Sequence, residues 1–122
     1  MAKKILIVDD DAPLRELYQQ LLSGEGYEVE TALDGKEGLD KILQNAYDLI
    51  LLDIMMPQID GIGILDKLSE DNIKHGPIIL MTNLINDPVT KDAIKKGAVA
   101  CLVKVNLPPD QLIATVKQTL GA

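Results

Sequence analysis

Four short runs of unbroken aliphatic residues recur along the chain: Ile5-Leu6-Ile7-Val8, Leu49-Ile50-Leu51-Leu52, Ile78-Ile79-Leu80-Met81 and Val99-Ala100-Cys101-Leu102-Val103. A strand that is apolar at every position must be covered on both faces, and such strands belong to parallel sheets sandwiched by helices. A fifth stretch, Tyr27-Glu28-Val29-Glu30-Thr31, alternates instead, as a strand with one face in water does. With no Phe, no Trp and only three Tyr, Ile, Leu and Val have to fill the interior, and these suit such a sheet.

Helical patterns lie between the strands. Leu14, Leu17, Tyr18, Leu21 and Leu22 recur at i, i+3, i+4, i+7 and i+8 just after Pro13, a residue that fits a first helical turn. Leu39, Ile42 and Leu43 mark a second stripe, and Ile64, Leu65 and Leu68 a third. A fourth, with Val89, Ala93 and Ile94, follows Asp87-Pro88 and stops at Gly97. A fifth, with Leu112, Ile113, Val116 and Leu120, follows Pro108-Pro109. Strand then helix, five times, with short connections, predicts an α/β fold: one (βα)5 domain over residues 1–122, a doubly wound five-stranded parallel sheet.

Charge narrows the function. Twelve basic against 19 acidic residues leave a net charge of −7, which argues against direct contact with nucleic acid or an anionic membrane. The longest uncharged run, Gly76 to Asn86, falls well short of the roughly 20 residues that span a bilayer. Met1-Ala2-Lys3-Lys4 leads only into a four-residue apolar run, so no signal peptide is expected. A lone Cys101 excludes an internal disulfide and a cysteine-based metal site. The expectation is a soluble cytoplasmic domain.

Open parallel sheets bind ligands at the carboxyl ends of their strands. Here the first strand runs into Asp9-Asp10-Asp11, the third into Asp53, the fourth into Thr82 and the fifth into Lys104. Crowded carboxylates repel one another, and a hard cation such as Mg2+, which takes oxygen ligands, relieves that repulsion. An ammonium and a hydroxyl converging on one carboxylate beside such an ion form a cradle for a phosphoryl group, with the carboxylate as nucleophile. Singly, each residue has a plainer reading. Asp11, ahead of Pro13, is a helix cap, Thr82 a turn residue and Lys104 a solvated terminus. Four such residues, each closing its strand on one sheet edge, are harder to explain that way.

Ile5-Leu6-Ile7-Val8-Asp9-Asp10-Asp11, Asp48-Leu49-Ile50-Leu51-Leu52-Asp53-Ile54-Met55-Met56-Pro57, Asp60-Gly61, Pro77-Ile78-Ile79-Leu80-Met81-Thr82 and Lys104 occur in order. In these pieces the chain resembles a response-regulator receiver domain of the CheY-like kind over essentially its whole length. The resemblance implies a flavodoxin-like sheet of order 2-1-3-4-5 and a phosphorylation-dependent switch in a two-component system. Asp53 would accept phosphate from a phosphohistidine on a sensor histidine kinase or phosphotransfer protein. Asp10 and Asp53 would ligate Mg2+ through side chains, Met55 through its backbone carbonyl and Asp9 through water. Thr82 would contact the phosphoryl oxygen on switching, and Lys104 would pair with it. The output would be a changed surface formed by the fourth helix, fifth strand and fifth helix, offered to a downstream protein. The only chemistry catalysed would be the domain's own phosphoryl transfer and dephosphorylation.

Three positions depart from the receiver pattern. Lys104 is followed by Val105 where receivers carry Pro, Cys101 stands where many carry Tyr or Phe, and Asn83 follows Thr82 where a small residue is usual. Without the ring, switching cannot depend on a large aromatic rotamer change, and movement is expected in Thr82 and the loop Asn83 to Pro88. A cis Lys104–Val105 bond would cost roughly 2.5–4 kcal/mol, against about 0.5–1 kcal/mol for Lys-Pro, so a trans bond is expected. Val105-Asn106-Leu107 would then take another route into Pro108. Met55 and Leu84, at the two positions that gate hydrolytic water in receivers, are apolar, which predicts a slow loss of phosphate.

Other residues read plainly. Cys101 is a small hydrophobe, His75 a surface residue, and Met55 and Met56 hydrophobic lining, thioether being a poor partner for Mg2+. Gly61-Ile62-Gly63 lacks the third glycine of a dinucleotide loop, since position 66 is Asp. Two rival functions fare worse. A haloacid-dehalogenase-type phosphatase needs an Asp two residues after its nucleophile, where this chain has Met55. A flavin mononucleotide binder needs a phosphate loop after the first strand, where this chain has three acids. A stand-alone regulator and a receiver excised from a longer protein both fit the sequence.

Overall fold

Ile5, Leu6, Ile7 and Val8 are all buried, so β1 (Lys4–Val8) has to lie inside the sheet with helices on either side. The same holds for β3 (Leu49–Asp53) and β4 (Ile78–Thr82), buried at every position. β2 (Glu28–Ala32) and β5 (Ala100–Val103) are only partly buried and form the two edges. All neighbours pair in parallel, in the order β2-β1-β3-β4-β5. The computed structural model describes residues 2–56, 58–83, 88–105 and 107–121.

Each strand is followed by a helix: α1 (Ala12–Gly24), α2 (Gly35–Gln44), α3 (Gly61–Glu70), α4 (Pro88–Lys95) and α5 (Pro109–Leu120). Strand side chains alternate between faces, which divides the core in two. On one face Ile5, Ile7, Leu49, Leu51, Met81 and Leu102 pack with Tyr18 and Leu22 of α1 and with Leu112 and Val116 of α5. On the other, Leu6, Val8, Ile50, Leu52, Ile78 and Leu80 meet α2, α3 and Ala93 of α4. Each such aliphatic side chain contributes about 1.5–3 kcal/mol on burial.

Helix starts follow the local chemistry. Asp11 accepts the Leu14 N–H at 3.2 Å, the cap the sequence suggests, and Asp34 and Asp60 cap α2 and α3 in the same way. After α4 the chain turns at Gly97 with φ 118°, a left-handed conformation that glycine adopts without strain.

Strand ends differ from the hydropathy reading. β3 and β4 each run one residue further, through Asp53 and Thr82, because backbone ladders ignore side-chain polarity. β2 is offset by one, losing Tyr27 and gaining Ala32, because its ends are set by pairing with β1 from Lys4↔Glu28 to Val8↔Ala32. β5 is not covered on both faces as its apolar run suggests: it is an edge, it begins at Ala100, and Val99 is 56% exposed. Cys101 is half-buried against the α2–α4 side of the core, and burial pushes its thiol up from the ordinary range. His75 is exposed.

Among the described residues no peptide bond is cis, so Lys104–Val105 is trans, as its sequence predicts. The expected rerouting of the following loop involves Asn106, which lies outside the described residues. Among the described residues, no helix is long and apolar enough to cross a membrane.

Candidate functional site

β1 and β3 are neighbours whose following strands lie on opposite sides of the pair, so their carboxyl ends flank the crevice of a doubly wound sheet. Register decides what meets there. Val8 pairs with Leu52, which puts Asp9 beside Asp53 one step on. Thr82 pairs with Val103, and the Lys104 N–H donates to the Thr82 carbonyl at 2.8 Å. Alternation then selects the face. Ile7, Leu51 and Leu102 belong to the α1/α5 side of the core, so Asp9, Asp53 and Lys104, two residues further along each chain, share that side.

The Lys104 ammonium donates to Asp53 Oδ2 at 3.1 Å and to Asp9 Oδ1 at 3.2 Å, and lies 3.1 Å from Asp9 Oδ2. Asp53 is 3% exposed and the Lys104 side chain 7%. Lys104 is therefore no solvated terminus, and Thr82 is a buried strand residue rather than a turn residue. Asp53 Oδ1 accepts the Met55 N–H at 3.3 Å, and Asp9 Oδ1 the Asp11 N–H at 2.9 Å. Burial, then the charge of Asp9, raises the Asp53 carboxyl to about 6 against the opposing pull of Lys104. Burial works to lower the Lys104 pKa, but Asp9 and Asp53 outweigh it and hold the ammonium above its ordinary range.

The walls have their own fixings. Arg15 Nη1 donates to the Asp9 carbonyl at 2.7 Å, tying α1 to the acidic loop. Gly61 N–H donates to the Ile54 carbonyl at 2.9 Å, and a Cβ at Gly61 would stand 2.5 Å from the Asp53 carbonyl oxygen. Only glycine lets α3 start this close behind Asp53. Met56 is buried lining, as expected, whereas Met55 is 61% exposed beside the mouth. Leu84 lies outside the described residues. Hydropathy patterning does not single out Arg15; the available signal is a guanidinium on a helix that starts at the acidic edge.

Carboxylate oxygens of Asp9, Asp10 and Asp53 lie within 4.8 Å of one another, with Asp10 exposed and the other two buried. One ammonium against three carboxylates leaves excess negative charge, and Asp9 Oδ2, though 3.1 Å from that ammonium, is buried without a hydrogen bond among the described residues. An all-oxygen, anionic donor set of this kind fits Mg2+.

Fold and site together define a flavodoxin-like doubly wound domain with an acidic, lysine-bridged pocket at its switch point. The family model for the response regulator receiver domain matches residues 5–117. The transcriptional regulatory protein CpxR homolog of Haemophilus influenzae is 39% identical over 117 residues, covering 96% of this chain and 50% of that protein. A probable transcriptional regulator, ycf27 of Guillardia theta, is 38% identical over 120 residues, covering 97% and 45%. Among solved structures, the Methanospirillum hungatei CheY-like receiver superposes with a TM-score of 0.90 at 33% identity, covering 99% of this chain and 95% of that one. The receiver domain of Francisella response regulator 1452 does so with a TM-score of 0.89, also at 33% identity, covering 98% and 97%. The chain belongs to the response regulator receiver domains of two-component systems, a family in which phosphorylation and Mg2+ are typical. It spans about half the length of the curated relatives it matches.

Proposed function

We propose that this domain is a phosphorylation-controlled switch in which Asp53 is the phosphoacceptor. One observation carries the reading: a buried carboxylate, short of compensating charge, faces a single buried ammonium at the strand edge. An Asp53 carboxylate oxygen attacks phosphorus, forming the O–P bond as the N–P bond of a phosphohistidine breaks. The electron pair leaves with the imidazole. Asp10, Asp53 and the Met55 carbonyl would hold Mg2+, with Asp9 reaching it through water. When bound, the ion supplies positive charge against the phosphoryl oxygens, lowering the repulsion between donor and acceptor anions. Lys104 supplies the second cation, as a point charge on a flexible stem that reaches the site from a trans backbone. Thr82 offers its hydroxyl to the phosphoryl group. Loss of phosphate is the reverse chemistry with water: attack on phosphorus frees inorganic phosphate and restores the carboxylate.

The donor would be a sensor histidine kinase or phosphotransfer protein in the cytoplasm, and the output a changed α4–β5–α5 surface. Any direct contact with nucleic acid would belong to chain outside this domain, since the domain itself carries a net charge of −7. The expected movement of the loop Asn83 to Pro88 falls partly on residues 84–87, outside the described residues. The experiment is intact-mass analysis after incubation with acetyl phosphate and Mg2+. The parent gains one phosphoryl group and Asp53→Asn gains none; uptake by Asp53→Asn defeats the assignment. Beryllofluoride, a phosphoryl mimic, should shift amide signals of α4, β5 and α5 as well as those near Asp53, and signals confined to Asp53 defeat the output surface.

A further inference from the structure

Tyr18 is 3% exposed, and its hydroxyl is a buried polar atom with no hydrogen-bond partner among the described residues. A buried orphan hydroxyl costs about 1–3 kcal/mol, a cost that phenylalanine at this position would avoid. Its position suggests a role. The ring packs in the cluster that holds Ile7, Leu51 and Leu102, the residues two before Asp9, Asp53 and Lys104. Side chains on a helix lean toward its N-terminus, and α1 begins at Ala12 on the acidic edge, so the phenol leans toward that edge. Burial first, then the charges of Lys104, Asp9, Asp11 and Asp53, act on its hydroxyl. Lys104 has three N–H donors, and among the described residues its hydrogen bonds are to Asp9 Oδ1 and Asp53 Oδ2, with Asp9 Oδ2 also 3.1 Å away.

We infer that Tyr18 is a positioning residue of the phosphoryl site, whose hydroxyl accepts an N–H of the Lys104 ammonium across one ordered water. It thereby holds Lys104 at the height where the ammonium meets both Asp53 and an incoming phosphoryl oxygen. The inference rests on the reading of Asp53 as phosphoacceptor, and it gives α1 a part in a site otherwise built from strand ends.

The first test needs no phosphate. In metal-free protein carrying 13Cζ-tyrosine, Lys104→Met should move the Tyr18 signal and leave those of Tyr27 and Tyr47 in place. A Tyr18 signal that stays put overturns the contact. The second test uses Tyr18→Phe, which removes one oxygen from the core. It should melt at the parent's temperature or above, yet take up phosphoryl from acetyl phosphate in saturating Mg2+ about tenfold more slowly, the worth of one charge-assisted hydrogen bond. Uptake at the parent's rate overturns the inference, as does a fall in uptake matched by a fall in melting temperature. A parent that takes up no phosphoryl group defeats the assignment of Asp53 instead, and the metal-free signal still judges Tyr18.

Discussion

The Lys104 ammonium lies 3.1 Å from Asp53 Oδ2, joining residues 51 apart in the chain inside a pocket that neither shares with bulk water. Burial first, and then the charge of Asp9, which faces the same ammonium, raises the Asp53 carboxyl to about 6. A carboxylate held in this state is costly to the fold and ready for a cation or a phosphoryl group.

Metal-free stability should therefore depend on pH through Asp53. Its folded pKa is raised, so the folded state binds the proton more tightly than the unfolded chain. Stability contributed by this group is greatest at low pH and declines as pH rises from the ordinary carboxylate range through about 6. Asp53→Asn removes the penalty. Denaturant titrations in chelator should find it more stable than the parent by about 2 kcal/mol above pH 7, with the gain gone below about pH 4.

Lys104→Met should do the opposite. Removing one partner of a buried ion pair leaves charge uncompensated, at a cost of roughly 3 kcal/mol near neutral pH. The loss should ease on acidification, as the carboxylates protonate, and on addition of Mg2+. A pH-independent loss would mean that Lys104 acts through packing alone.

Mg2+ at about 100 times its dissociation constant should stabilise the parent by about 2.7 kcal/mol. Asp10→Ala should lose most of that increment while melting like the parent in chelator, since Asp10 is exposed. Calorimetric melts with and without the ion read both quantities.

Gly61→Ala should cost about 1–3 kcal/mol or more, because its Cβ would meet the Asp53 carbonyl oxygen at 2.5 Å. Gly24, with nothing within 4 Å of a Cβ, is the control: Gly24→Ala in α1 should be neutral or stabilising by about 0.5–1 kcal/mol.

The lifetime of the phosphorylated form tests the apolar mouth. Met55 is exposed there and cannot orient water by hydrogen bonding. Replacing Met55 by Asn and Leu84 by Glu should speed loss of phosphate roughly tenfold, a barrier change of ~1.4 kcal/mol. An equal or longer lifetime by intact mass counts against it.

Much of this protein is local and was therefore legible in order of residues. The unbroken aliphatic runs dictate strands buried on both faces, the Pro- and Asp-marked stripes dictate helices, and their strict alternation dictates a parallel sheet. The acids, threonine and lysine could be placed on one edge because strand direction alone carries them there. Tertiary structure decided what depends on register and on rank within the sheet. β5 reads like β1 in composition, yet it is an edge strand, with no described strand paired beyond it. Hydropathy ended β3 and β4 a residue early, since ladder hydrogen bonds form whatever the side chain. Above all, no local pattern says that Asp9, Asp53 and Lys104 share a face while one ammonium serves two carboxylates, or that the Tyr18 hydroxyl is buried without a partner among the described residues. Those facts arise from alternation summed over three paired strands and one helix, and charge acts through the space they enclose rather than along the chain.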